Sequence, residues 1–182
     1  MMVELLTFRN EGVTTDPFRV DYDNIAVTGP YPDFDGDGHS DIVWRNYSTG
    51  LNAIWNLTNG SVTGATALPT AADTNWRLVA TADFNRDGQV DLLWRHTVSG
   101  ANAIWLMNGA ARTSVVSLPP LPSASWQVAG AMDANNDGSP DIVWRNYSTG
   151  ENAIWLMNGT SYVSSLGLPS VGDINWRSVA TA

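Results

Sequence analysis

DFDGDGHSD, residues Asp33–Asp41, returns as DFNRDGQVD at Asp83–Asp91 and as DANNDGSPD at Asp133–Asp141. The three copies begin 50 positions apart each time, with no drift. Each carries a carboxylate or amide oxygen at positions 1, 3, 5 and 9 and a Gly at position 6. A short loop of this composition can wrap a hard cation that takes about six to eight oxygen ligands, with the Gly supplying a sharp turn at positive φ. In a helix-flanked calcium loop, position 12 would be a bidentate Glu. Here it is Trp44, Trp94 and Trp144, and the loops run on into DIVWRN, DLLWRH and DIVWRN, which are short β-rich runs. The loops therefore join strands.

This spacing predicts three calcium sites. The first comprises Asp33, Asp35, Asp37 and Asp41, the second Asp83, Asn85, Asp87 and Asp91, and the third Asp133, Asn135, Asp137 and Asp141. His39, Gln89 and Ser139, at position 7, are expected to add backbone carbonyls. The first site has four carboxylates where the others have three and an amide, so it is expected to bind tightest.

The chain has 182 residues, with 18 acidic against nine basic side chains and a formal charge of −9. Ten of those acids lie in the three loops, and three divalent ions would bring the charge to about −3. The acidity thus reads as metal ligation, and the lack of any basic run argues against nucleic acid as a partner. Without Cys there is neither a disulfide framework nor a thiolate site. No run approaches the ~18 apolar residues of a membrane span. MMVELLTFRNEG at the N-terminus lacks the basic start and long apolar core of a secretory signal. Calcium loops of modest affinity suit an extracellular or cell-surface location, where calcium is abundant.

Residues 31–180 read as three copies of one unit, at about 31–80, 81–130 and 131–180. Each unit has four short strand signals. One runs into the loop (WRLVATA from Trp76, WQVAGAM from Trp126, WRSVATA from Trp176), and one leaves it. A third starts at Asn52, Asn102 and Asn152 as NAIWNL or NAIWLM, and a fourth reads SVTGATAL, RTSVVSL or SYVSSLGL. STG or VSG, then TNG or MNG, then LP punctuate them, and helix signals are absent. Four antiparallel strands repeated at this period predict an all-β fold of β-propeller blades. Residues 1–30 break the pattern and read as a shortened half-blade or an extension, with NIAVTG at Asn24–Gly29 as the first strand of unit one.

Residues 31–182 resemble FG-GAP or VCBS-type repeats, the units of the propeller head of integrin α-subunits and of many bacterial surface and secreted proteins. The residues that carry the resemblance are D-x-[DN]-x-D-G-x-x-D, met by all three loops. The resemblance implies a calcium-stapled propeller that serves adhesion, carbohydrate recognition or support of a neighbouring domain. The departure is in number: such propellers usually have about seven blades, and this chain has three with remnants at each end.

All nine Trp fall on the repeat grid. Inter-blade core is one reading of them. The other is a sugar-stacking platform, for which Trp55, Trp105 and Trp155 on the third strand are the better candidates for exposure. Arg45, Arg95 and Arg145 recur beside Asn52, Asn102 and Asn152 across a hairpin. They can bind a loop carboxylate, cover the next blade, or bind sugar hydroxyls beside a Trp face. Acidic residues outside the loops do not recur in all three units, and no nucleophile, phosphate or zinc motif is present, so the expectation is a non-enzymatic module. Its partner would be a glycan or a cell-surface ligand, the rival reading being a scaffold without a ligand of its own. Trp176–Ala180 reads as a strand without partners and Val3–Asn10 as a second strand lacking a first. Joined, they would make a mixed blade, within one chain or, as the bulk of three Trp per blade favours, between two copies.

Overall fold

The computed structural model describes residues 32–121 and 123–177. Within them lie eleven strands and no helix. The strands are β1 Ile42–Arg45, β2 Asn52–Thr58, β3 Ser61–Leu68, β4 Trp76–Ala82, β5 Asp91–His96, β6 Asn102–Asn108, β7 Ala111–Leu118, β8 Trp126–Met132, β9 Asp141–Asn146, β10 Asn152–Asn158 and β11 Ser161–Leu168. They form three antiparallel sheets in which each strand pairs with the next in the chain: β1-β2-β3, β4-β5-β6-β7 and β8-β9-β10-β11. The fold is all-β, as the strand signals predict. The expected strand at Asn24–Gly29, the half-blade at Val3–Asn10 and most of the Trp176–Ala180 strand lie outside the described residues.

Sequence period and sheet are out of phase by one strand. β4 and β8 precede their loops yet hydrogen-bond to β5 and β9, which follow them. A sheet therefore starts at Trp76 or Trp126, and the chain passes between sheets through the LP-containing segments after β3 and β7. Register repeats with the sequence. Ile42 faces Trp55, Leu92 faces Trp105 and Ile142 faces Trp155. The pairing of the last two strands of each sheet shifts at one place, after Asn56, Leu106 and Leu156. Such a bulge bends the strand and adds twist.

Because side chains alternate across a strand, the inner strands β5 and β6 of the middle sheet give one face to the preceding sheet and one to the following. Ile54, Leu68 and Phe34 pack on Leu92, Trp94, Trp105 and Met107, forming the first core layer. Leu93, Ile104, Leu118 and Phe84 pack on Ile142, Trp144, Trp155 and Met157, forming the second. This accounts for NAIWLM lacking alternation: a strand covered on both faces has no solvent side.

The layers correct the expectation of exposed third-strand Trp residues. Trp105 and Trp155 are buried. Trp94 and Trp105 sit on one face of their sheet with ring centroids 4.6 Å apart, and Trp144 and Trp155 repeat the pair at 4.8 Å. The preceding sheet covers both rings, and Arg112 lies over Trp105 at 4.3 Å. Only Trp55 of the three is exposed, on the first sheet. Trp76 and Trp126, on the strands that enter the loops, are half-buried.

Candidate metal centres

The loops fold on their own side chains. In the first, Asp33 Oδ1 accepts the Gly36 and Asp37 N–H groups, and its Oδ2 accepts that of Gly38 at 2.8 Å. Asp35 Oδ1 accepts from Asp37 N–H, and Asp37 Oδ1 from His39 N–H at 2.8 Å. Asp83, Asn85 and Asp87 repeat the pattern, as do Asp133, Asn135 and Asp137. Short polar side chains capping the backbone two to five residues on are what draw the loop into a coil. The Gly at position 6 takes φ of 87°, 83° and 83°, as its place in the sequence predicts. Position 4 is left-handed too: Gly36 in the first loop, but Arg86 and Asn136, each at 62°, in the others.

The coil brings carboxylates together. One oxygen each of Asp33, Asp35 and Asp37 falls within 4.8 Å of the others, with all three residues at least partly open to solvent. Oxygen-only donors of like charge at this separation repel unless a cation lies among them, and a hard cation is the chemistry that fits. In the second and third loops Asn replaces the middle Asp, and its Nδ2 donates to Asp87 or Asp137 Oδ2 at 2.8 Å, offsetting the missing charge. That bond is the leading cause of the lowered pKa of Asp137. In the first loop the same relief comes from strand β2. Asn56 donates to Asp35 Oδ2 and Thr58 to Asp37 Oδ2, both at 2.7 Å, and the Thr58 bond holds the Asp37 carboxyl below the ordinary carboxylate range.

The ninth-position carboxylates do a second job. Asp91 Oδ2 accepts the Phe84 N–H at 3.0 Å and its Oδ1 the Met107 N–H at 2.9 Å. Asp41 does so with Phe34 and Leu57, and Asp141 with Ala134 and Met157. Each ties the start of its loop to β2, β6 or β10 of its own sheet. All three are buried, and burial pushes the Asp91 carboxyl up to about 6, against the two N–H donors that favour its charge. Each oxygen has a further lone pair, so the brace leaves these residues able to ligate. A bound cation would offset the cost of a buried charge.

The position 7 side chains of the second and third loops act as braces. Gln89 Oε1 accepts the Gly109 N–H, and Ser139 Oγ that of Gly159, pinning loop to hairpin. The loops also reach the next sheet. Phe34 O lies close to Gly109, and Arg86 donates to Asn158 Oδ1 at 3.3 Å. The first and second loops face each other across a cleft of about 490 Å³ lined by Asp33, Asp35, Gly88 and Gln89. The Asn56 and Thr58 contacts were not read from the sequence. Their signal was present, since NAIWNLT departs from NAIWLMN at those positions.

The recurrent Arg and Asn residues turn inward. Arg95 Nη1 donates to Asn102 Oδ1 at 3.0 Å and to Gly100 O, while its Nη2 donates to Leu121 O and Ser123 O. Arg45 with Asn52 and Arg145 with Asn152 make the same set. Asn52, Asn102 and Asn152 donate in turn to the carbonyls of Pro69, Pro119 and Pro169. These groups hold the segment leaving each sheet. No loop carboxylate is their partner among the described residues. The guanidinium of Arg45 also lies over Trp94, and that of Arg95 over Trp144, each at 4.9 Å. Arg45 and Arg95 thus each cover a Trp of the next sheet.

Residues 33–94 match the family model of the FG-GAP-like repeat. The match begins at the first Asp of the first loop and ends at Trp94, just past the second loop. No curated protein matches the chain significantly. The loop, strand order and 50-residue period are consistent with an FG-GAP-type repeat at residues 33–94.

Proposed function

We propose that this chain is a calcium-binding, non-enzymatic repeat module of an extracellular or cell-surface protein, its three sheets acting as successive blades of a propeller. The repeats at about 31–80, 81–130 and 131–180, each bearing one loop, are its working units. The observation that carries the reading is the convergence of the Asp33, Asp35 and Asp37 oxygens within 4.8 Å, in a loop whose pattern occurs three times. The ions would be held by the position 1, 3, 5 and 9 side chains with the position 7 carbonyls, and would supply charge neutralisation at the junctions between sheets. The module is then a rigid support whose stiffness depends on calcium. Adhesion or carbohydrate recognition would use a surface other than the Arg–Asn sets. One such surface is a pocket of about 530 Å³ lined in part by Trp76, Trp105, Arg112 and Asp73.

Isothermal titration of metal-free protein with calcium should return about three sites, the tightest weakened towards the other two in Asp35→Asn, which gives the first loop their donor set. No heat at millimolar calcium would reject the reading, that being the weak end of extracellular sites. The loaded protein on a glycan array separates recognition from support: signal lost in Trp76→Ala favours a sugar pocket, and a blank array favours the scaffold.

A further inference from the structure

The structure makes one interface twice. Sheet one presents Ile54, Leu68 and Arg45 to Leu92, Trp94 and Trp105 of sheet two. Sheet two presents Ile104, Leu118 and Arg95 to Ile142, Trp144 and Trp155 of sheet three. Each interface has a receiving half, built around a Trp pair, and a covering half, built around an Arg.

The same chain carries one further copy of each half, and among the described residues nothing joins them. The receiving face of sheet one holds Ile42, Trp44 and Trp55. Trp44 is 46% exposed where Trp94 and Trp144 are 1%, and Trp55 is 40% exposed where Trp105 and Trp155 are 7%. Their rings already sit as the buried pairs do, with centroids 4.7 Å apart. The covering face of sheet three holds Arg145 and Leu168, the latter 36% exposed where Leu68 and Leu118 are 5% and 6%. Arg145 keeps the hydrogen bonds of Arg45 and Arg95 and has the Tyr147 ring at 5.4 Å, matching Arg45 over Tyr47. What it lacks among the described residues is the indole that Arg45 and Arg95 each cover. An exposed face built for burial is an association site, and a guanidinium over an indole adds attraction once water is excluded.

We propose that two copies of this chain dock head to tail, the sheet-three face of one seating on the sheet-one face of the other and placing Arg145 over Trp44. The occupant is a second copy because this chain supplies both halves in the register it uses internally. The contact is heterologous, so it extends into a ring or an open string. It is independent of the cation reading.

The test uses the full chain by light scattering, up to roughly 100 μM, where a micromolar Kd would show. The wild type should be larger than a monomer. Trp44→Glu blocks only the receiving face and Leu168→Glu only the covering face, so each alone should be monomeric, with at least about tenfold weaker self-association. Mixed one to one, they should form a heterodimer through the one intact pair of faces. If Trp44→Glu loses its strand signal in circular dichroism, Trp55→Lys replaces it. A wild type that stays monomeric, as it would if residues 1–31 cover the Trp pair, overturns the proposal. Assemblies indifferent to either substitution, or a mixture that yields no heterodimer, overturn it as well.

Discussion

Asp91 is fully buried, with its carboxyl pushed up to about 6 by loss of water, while Asp37, Asp73 and Asp137 are held low by hydrogen bonds. The two classes act in separate pH windows. A folded-state pKa above the unfolded value near 3.9 means that folding takes up a proton, so ionised Asp91 costs the metal-free protein stability above pH 6 and nothing below about pH 4. A shift of about two units corresponds to about 3 kcal/mol. The lowered carboxyls contribute stability above their unfolded pKa and lose it as pH falls through their folded values, below the Asp91 window. Metal-free protein should therefore gain stability between pH 7.5 and about 5 as Asp91 protonates. Calcium-loaded protein should lose it over the same interval, because protons compete with the cation for the loop. Urea midpoints at several pH values, with and without chelator, check the reversal, and Asp91→Asn should flatten the metal-free curve.

At the scale of elements, each hairpin between the second and third strand of a repeat closes on a Gly. Gly50 has φ of 78°, and an added Cβ would lie 2.3 Å from Ala71 O and also crowd the Ala72 backbone. Ala71 N–H donates to Gly50 O at this contact, and Arg45 clasps both carbonyls. No side chain can yield there, so Gly50→Ala should destabilise by more than about 2 kcal/mol, read from a denaturant midpoint at unchanged m-value. The STG and VSG signals marked these turns in the sequence, but what makes the Gly necessary is the approach of a segment some twenty residues on, which local composition cannot show. The same division holds for the rest of the fold. All eleven strands were legible, because turn residues bracket short β-rich runs and the 50-residue period removes ambiguity. The convergence of the Asp33, Asp35 and Asp37 carboxylates was legible from spacing alone. Which Trp face solvent was not: strand alternation puts Trp94 and Trp105 on one face, but only the stacking of sheets decides that this face is covered. The bonds of Arg95 to Gly100 O, Leu121 O and Ser123 O were likewise hidden, since every sequence has backbone carbonyls.

For the whole molecule, the loops stand where sheets meet. Asp41, Asp91 and Asp141 lock each loop into its own sheet, while Phe34 O and Arg86 meet the hairpins of the next. A cation in each loop would offset the repulsion among its carboxylates and stiffen the junction as well as the loop. Binding to the folded state alone adds RT ln(1 + [L]/Kd), about 2.7 kcal/mol per site at a hundredfold excess over Kd. The most direct test is calorimetric melting of protein loaded with calcium, repeated after excess chelator. The account predicts a fall in Tm of well over 5 °C, taking the usual several degrees per kcal/mol for a chain of this size, with full recovery when calcium is restored. An unchanged Tm in chelator would contradict it.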